Sequence, residues 1–123
     1  MDKATENKFF GAPTVENVLK TPPGTYLKLL ETQIDPSKSK TLESVIKISF
    51  TDSKKSWALH VRKGVAEVTD VLPEKVDATL QMQRKVWAEI SIGNNTVAKA
   101  IDDGDINVKG SKKIVKSVFE VFN

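Results

Sequence analysis

Tyr26, Leu27, Leu29, Leu30 and Ile34 recur at three-to-four spacing, which predicts a helix that opens at Thr21-Pro22-Pro23 and runs to about Gln33. Asp35-Pro36-Ser37 ends it, because proline disfavours a helical residue before it. From Leu42 the interval drops to two. Ile46, Ile48 and Phe50 point one way while Lys47 and Ser49 point the other, the mark of a half-buried strand. Beyond the polar turn 51–56, Trp57, Leu59 and Val61 alternate with Ala58, His60 and Arg62, and Lys63-Gly64 reverses the chain into Ala66 and Val68. A fourth strand carries Val76, Ala78, Leu80 and Met82. Four strands in succession predict an antiparallel meander.

The helical interval returns at Arg84, where Val86, Trp87 and Ile90 share a face and Gly93 supplies a stop. Asn94-Asn95 can cap a second helix through Val97, Ala98 and Ile101 to Gly104. Residues 105–110 form a short fifth strand. Ser111 caps a last helix whose apolar positions are Ile114, Val115, Val118, Phe119, Val121 and Phe122. The pattern defines an α+β domain with helices over one sheet face and a semi-polar opposite face bearing Lys47, Ser49, His60, Arg62, Glu67, Thr79 and Gln81. Residues 1–20 read as an irregular arm or linker, and residues 21–123 as the domain.

With 123 residues and a net charge of +3, the chain fits one ordinary soluble domain. A chain of this size buries about two thirds of its unfolded surface and needs no covalent staple. The absence of cysteine excludes a disulfide framework, a thiolate zinc site and a cysteine nucleophile. No apolar run approaches the roughly 20 residues that cross a bilayer, and the charged N-terminus is no signal peptide, so a cytoplasmic location is expected if the chain is complete. Only Arg62 and Arg84 are arginines, which argues against nucleic acid as a partner.

Catalytic chemistry finds little material. His60 is the only histidine, so HExxH and any two-histidine metal site are impossible. It falls on the polar sheet face, where a solvated residue is the plainer reading. Asp102-Asp103-Gly104-Asp105 resembles a cation loop but lacks the closing acid of a calcium site, and a helix stop before a strand explains it better. Lys112 and Lys113 begin the last helix, where bare amides attract anions, against the plainer reading of two solvated lysines. Trp57, Trp87, Phe119 and Phe122 could wall a ligand cavity or simply fill a core. No cofactor is expected.

The order of motifs adds a resemblance. Residues 57–65, WALHVRKGV, are followed by Asp77-Ala78-Thr79-Leu80, by the Trp87 helix, and by residues 100–110, AIDDGDINVKG. This succession, over about residues 20 to 122, resembles the sterol-carrier-protein family, and most the branch found as the C-terminal domain of alkyl sulfatases. The resemblance implies a five-stranded, mainly antiparallel sheet packed by helices around an apolar tunnel. Such a tunnel takes fatty acids, sterols or alkyl sulfate tails without reacting with them. On that basis Leu59, Val61, Val86, Trp87, Ile90, Val97, Ile101, Val118, Phe119 and Phe122 would line the tunnel; by their placement alone, Lys112 and Lys113 would stand near its mouth and meet an anionic head. The domain would be a lipid carrier or a substrate-recruiting module beside a sulfatase catalytic domain, and not itself an enzyme. The competing expectation is an interaction or homodimerisation module with a filled core.

Overall fold

The computed structural model describes residues 14–122. Helix α1 (Val15–Lys20) occupies the end of the expected irregular arm. Local chemistry accounts for it: Thr14 Oγ1 accepts from the Asn17 amide at 3.1 Å, Glu16 and Lys20 pair one turn apart at 3.3 Å, and Val18 is buried. The remainder of that arm, residues 1–13, lies outside the described residues. The helix expected over 21–33 is divided into α2 (Pro23–Leu27) and α3 (Leu30–Gln33). Between them the hydrogen bonds tighten to i→i−3, as from Leu29 N to Tyr26 O at 3.3 Å and from Thr32 N to Leu29 O at 3.0 Å.

Strands β1 (Glu43–Phe50), β2 (Ser56–Arg62), β3 (Val65–Thr69), β4 (Ala78–Met82) and β5 (Asn107–Gly110) form one sheet in the order β3-β2-β1-β4-β5. The β2–β3 hairpin turns on Lys63 and Gly64, with φ of 46° and 86°, the double positive φ that suits the twist of paired strands. The expected meander is corrected at β4. That strand skips the edge and lies parallel to β1, aligning Ile46 with Ala78 and Ile48 with Leu80. All the other pairings are antiparallel. Period-two patterning fixes which face a residue occupies, but not which strand is the neighbour. Here β1 carries fully buried Ile46 and Ile48, and a second ladder satisfies its other edge. The Asp77 amide donates to Val45 O, and Asp77 Oδ2 accepts from the Val45 amide, each at 2.8 Å. Residues 70–77 can reach roughly 27 Å, which covers three strand spacings of about 4.8 Å together with the return along a strand.

Helices α4 (Arg84–Ser91), α5 (Val97–Asp102) and α6 (Lys112–Phe119) complete the layer. Thr96, rather than Asn94 or Asn95, caps α5 through a 3.1 Å bond from the Lys99 amide, while Ser111 caps α6 as its position predicts. Ile46, Ile48, Leu59, Val61, Val68, Leu80, Val115 and Val118 form one continuous buried cluster. The opposite sheet face carries Lys47, His60, Glu67, Thr79 and Gln81.

Candidate ligand cavity between the helices

Three helical segments border a space at the margin of the buried cluster, to which Leu30 and Trp87 also belong. Tyr26, Leu29, Leu30 and Gln33 occupy i, i+3, i+4 and i+7 across α2 and α3. Trp87, Ile90 and Ser91 occupy i, i+3 and i+4 on α4, and Lys116, Phe119 and Glu120 do the same around the end of α6. With Gly93, Asn95, Thr96, Val97, Ala98 and Phe122 these residues enclose a partly open cavity of about 610 Å³. That volume is in the range of small-molecule sites.

The aromatic side of the cavity is a row of three rings, the first pair edge to face and the second tilted. Trp87 and Phe119 have ring centroids 6.4 Å apart at 62°, and Phe119 and Phe122 are 5.8 Å apart at 41°. Phe122 is pinned by a bridge to Ile34, next to which the Asp35 amide donates to Val121 O at 2.7 Å. Asp35 in turn accepts from the Ser37 hydroxyl at 2.6 Å and the Ser37 amide at 2.9 Å. Those two bonds, the hydroxyl first, hold its carboxyl below its ordinary value.

Charge at the rim is largely compensated. Lys116 Nζ lies 3.1 Å from Asp102 Oδ1, and Glu120, the residue that caps the end of α6, adds a negative charge. Beside the main cavity, a void of about 10 Å³ is walled by Val18, Leu19, Thr21, Tyr26, Phe50, Arg84 and Trp87. Tyr26 and Trp87 belong to both walls.

The expected lining set separates into three groups. Trp87, Ile90, Val97, Phe119 and Phe122 come together around the cavity. Leu59, Val61, Ile101 and Val118 sit in the packed cluster beneath the helices, each at most 5% exposed. Val86 faces a separate open depression with Met82 and Gln83. Lys112 and Lys113 are exposed on the first turn of α6, outside the cavity wall, whereas Lys116 one turn on belongs to it. Tyr26, Leu29, Leu30 and Gln33 were not expected in the lining. Their 3–4 spacing was readable, but spacing does not distinguish a face that meets a core from one that borders a space. His60 lies opposite Glu67 on the polar sheet face and takes no part in the cavity. Among the described residues no group of three His, Cys, Asp or Glu is arranged to hold a metal ion, and no helix is long and apolar enough to cross a membrane.

A five-stranded sheet with helices packed on it is the fold that this chain shares with sterol carrier proteins. The palmitated sterol carrier protein 2-like 2 of Aedes aegypti superposes with a TM-score of 0.64 at 19% identity, covering 79% of this chain and 90% of that one. A stereoselective inverting sec-alkylsulfatase from Pseudomonas sp. superposes over 84% of this chain and 16% of its own length, with a TM-score of 0.74 and 23% identity. Residues 13–123 match the family described as alkyl sulfatase C-terminal, and the chain belongs to that family. A linear primary-alkylsulfatase of Pseudomonas sp. (strain ATCC 19151) is 26% identical over the full 123 residues. The chain spans 23% of the length of that relative.

Proposed function

We propose that this domain binds the hydrocarbon portion of an apolar or amphipathic small molecule, such as a fatty acid, a sterol or an alkyl sulfate tail, in the cavity between α2–α3, α4 and α6. The observation that carries this reading is the space of about 610 Å³ with Tyr26, Trp87, Phe119 and Phe122 in its wall. Burying one methylene contributes about 0.8 kcal/mol, so a ten-carbon tail brings up to ~8 kcal/mol before the costs of association. A greasy cavity of modest shape specificity therefore suffices for useful affinity. The role is non-catalytic: the domain carries a lipid, or recruits substrate for a sulfatase catalytic domain of the kind its relatives possess. The palmitated state of the mosquito carrier supports the same ligand class.

A fluorescent fatty acid tests this directly. Saturable binding at micromolar ligand, displaced by decyl-chain amphiphiles, is expected. No saturable binding, together with a concentration-dependent dimer in sedimentation, would transfer the case to an interaction module.

A further inference from the structure

Trp87 Nε1 and Arg84 Nε are both buried side-chain donors without a hydrogen-bond partner among the described residues. Trp87 is only 4% exposed, so its indole N–H has no recourse to bulk water. An unpaired buried donor is destabilising, and most such groups in folded proteins are satisfied. Arg84 does have an acid nearby, since its backbone amide donates to Asp52 Oδ1 at 3.0 Å and its Nε lies 3.5 Å from Asp52 Oδ2. The side-chain N–H is nevertheless not aligned on that carboxylate.

These two residues wall the same void of about 10 Å³, which has room for a single water-sized oxygen. The void shares Tyr26 and Trp87 with the wall of the large cavity. Trp87 thus borders both spaces, and it is the unpaired donor among the residues that wall the large cavity. A recess this small suits a single oxygen better than the body of a sulfate or phosphate. Charge points the same way. The Arg84 guanidinium is neutralised by Asp52, Lys116 at the cavity rim by Asp102, and Glu120 on that rim repels an anion.

We propose that the preferred occupant is an uncharged long-chain amphiphile with one terminal hydroxyl or carbonyl oxygen, and that this oxygen accepts a hydrogen bond from Trp87 Nε1. This rests on the cavity being the ligand site. It adds a direction, with the head inward at the Trp87 recess and the tail along Phe119 and Phe122.

The test compares 1-decanol, 1-chlorodecane and decyl sulfate. In the ¹⁵N-labelled chain, the indole N–H resonance of Trp87, distinguished from that of Trp57 with Trp57→Phe, is expected to move downfield with 1-decanol and to stay in place with 1-chlorodecane. Trp87→Phe keeps an aromatic ring and removes the donor. It should weaken 1-decanol about 5-fold, the effect of one neutral hydrogen bond, and leave 1-chlorodecane within a factor of two. The resonance measurement uses the unaltered side chain, so it decides the matter even if Trp87→Phe folds poorly. Saturable 1-decanol binding with an unmoved resonance, or tighter binding of decyl sulfate than of 1-decanol, would overturn the head-inward assignment and leave the cavity reading intact. Failure of all three compounds to bind would overturn both.

Discussion

Two sides of one helical layer are packed in opposite ways. Towards the sheet, Val115 and Val118 of α6 are fully buried and join Ile46, Ile48, Leu59 and Leu80 in a cluster with no exposed member. On its other side the same helix presents Lys116, Phe119 and Glu120 to a space of about 610 Å³. The residue types overlap, since both sides use aliphatic and aromatic groups at helical spacing. What differs is whether a facing element supplies the other half of the contact. Against the sheet, strands at regular spacing supply that half, and the facing side chains are fully buried. Away from it, α2 and α3, the turn after α4 and the residues following α6 leave a space between them, although Ile34 and Phe122 are bridged. Stability is thus concentrated on the sheet side, and adaptability on the other.

The comparison predicts graded responses. Leu59→Ala removes a fully buried side chain from the filled region and should cost about 2–5 kcal/mol in denaturant unfolding. A loss below 1 kcal/mol would mean that the sheet side is looser than its burial indicates. Gly110→Ala comes next. Gly110 has φ of 106°, and an added Cβ would lie 2.8 Å from Asp77 O and 3.0 Å from Ala78 Cα at the β4–β5 pairing. Both contacts are backbone and cannot swing aside, so a loss of about 1–3 kcal/mol is expected. An unchanged melting temperature would show that β5 contributes little to the sheet. On the cavity side, Phe119→Ala should cost less stability, about 1–2 kcal/mol, because the ring is only half-buried. Its larger consequence should be functional: with the ring edge lost against Trp87, decyl-chain binding should weaken more than hexadecyl-chain binding. Equal weakening of both would argue that Phe119 is not part of the chain path.

This division also explains what could be read from the sequence. Alternation at residues 46–50, 57–61 and 78–82 assigned the inward face of each strand correctly, because one-residue register shifts would bury Lys47 or expose Ile48. The place of β4 beside β1 was not legible, since the parity of a strand is indifferent to its neighbour. On the helices, spacing identified apolar faces and put Trp87 and Ile90 on one of them. It could not separate Leu59 and Val118, which lie wholly within the buried cluster, from Trp87 and Phe122, which also border a space. Lys116 rather than Lys112 or Lys113 reaches the rim because the cavity lies at the C-terminal end of α6. That position follows from how α2 and α3 lie across the layer, a tertiary fact that no local pattern encodes.

The smallest predicted effect concerns the clamp that holds the last aromatic against the cavity. The Asp35 amide donates to Val121 O, and Ile34 bridges Phe122, so the loop carrying the Asp35 carboxylate sets where the chain after α6 runs. The Ser37 hydroxyl, then the Ser37 amide, favour the ionised carboxylate and lower its value in the fold, and burial opposes this only in part. A folded value below the unfolded one means that the carboxylate stabilises the native loop at every pH above its ordinary value of 3.8, and that this contribution fades as pH falls through the lowered value. Solvent reaches the group, so the change should be slight. Asp35→Asn should flatten the fall in melting temperature on acidification, and wild-type protein should release a fluorescent fatty acid over the same interval if the clamp closes the cavity. An acid-induced loss of stability identical in both proteins would separate the Phe122 clamp from Asp35 ionisation. The adaptable side would then depend on the backbone bridge alone.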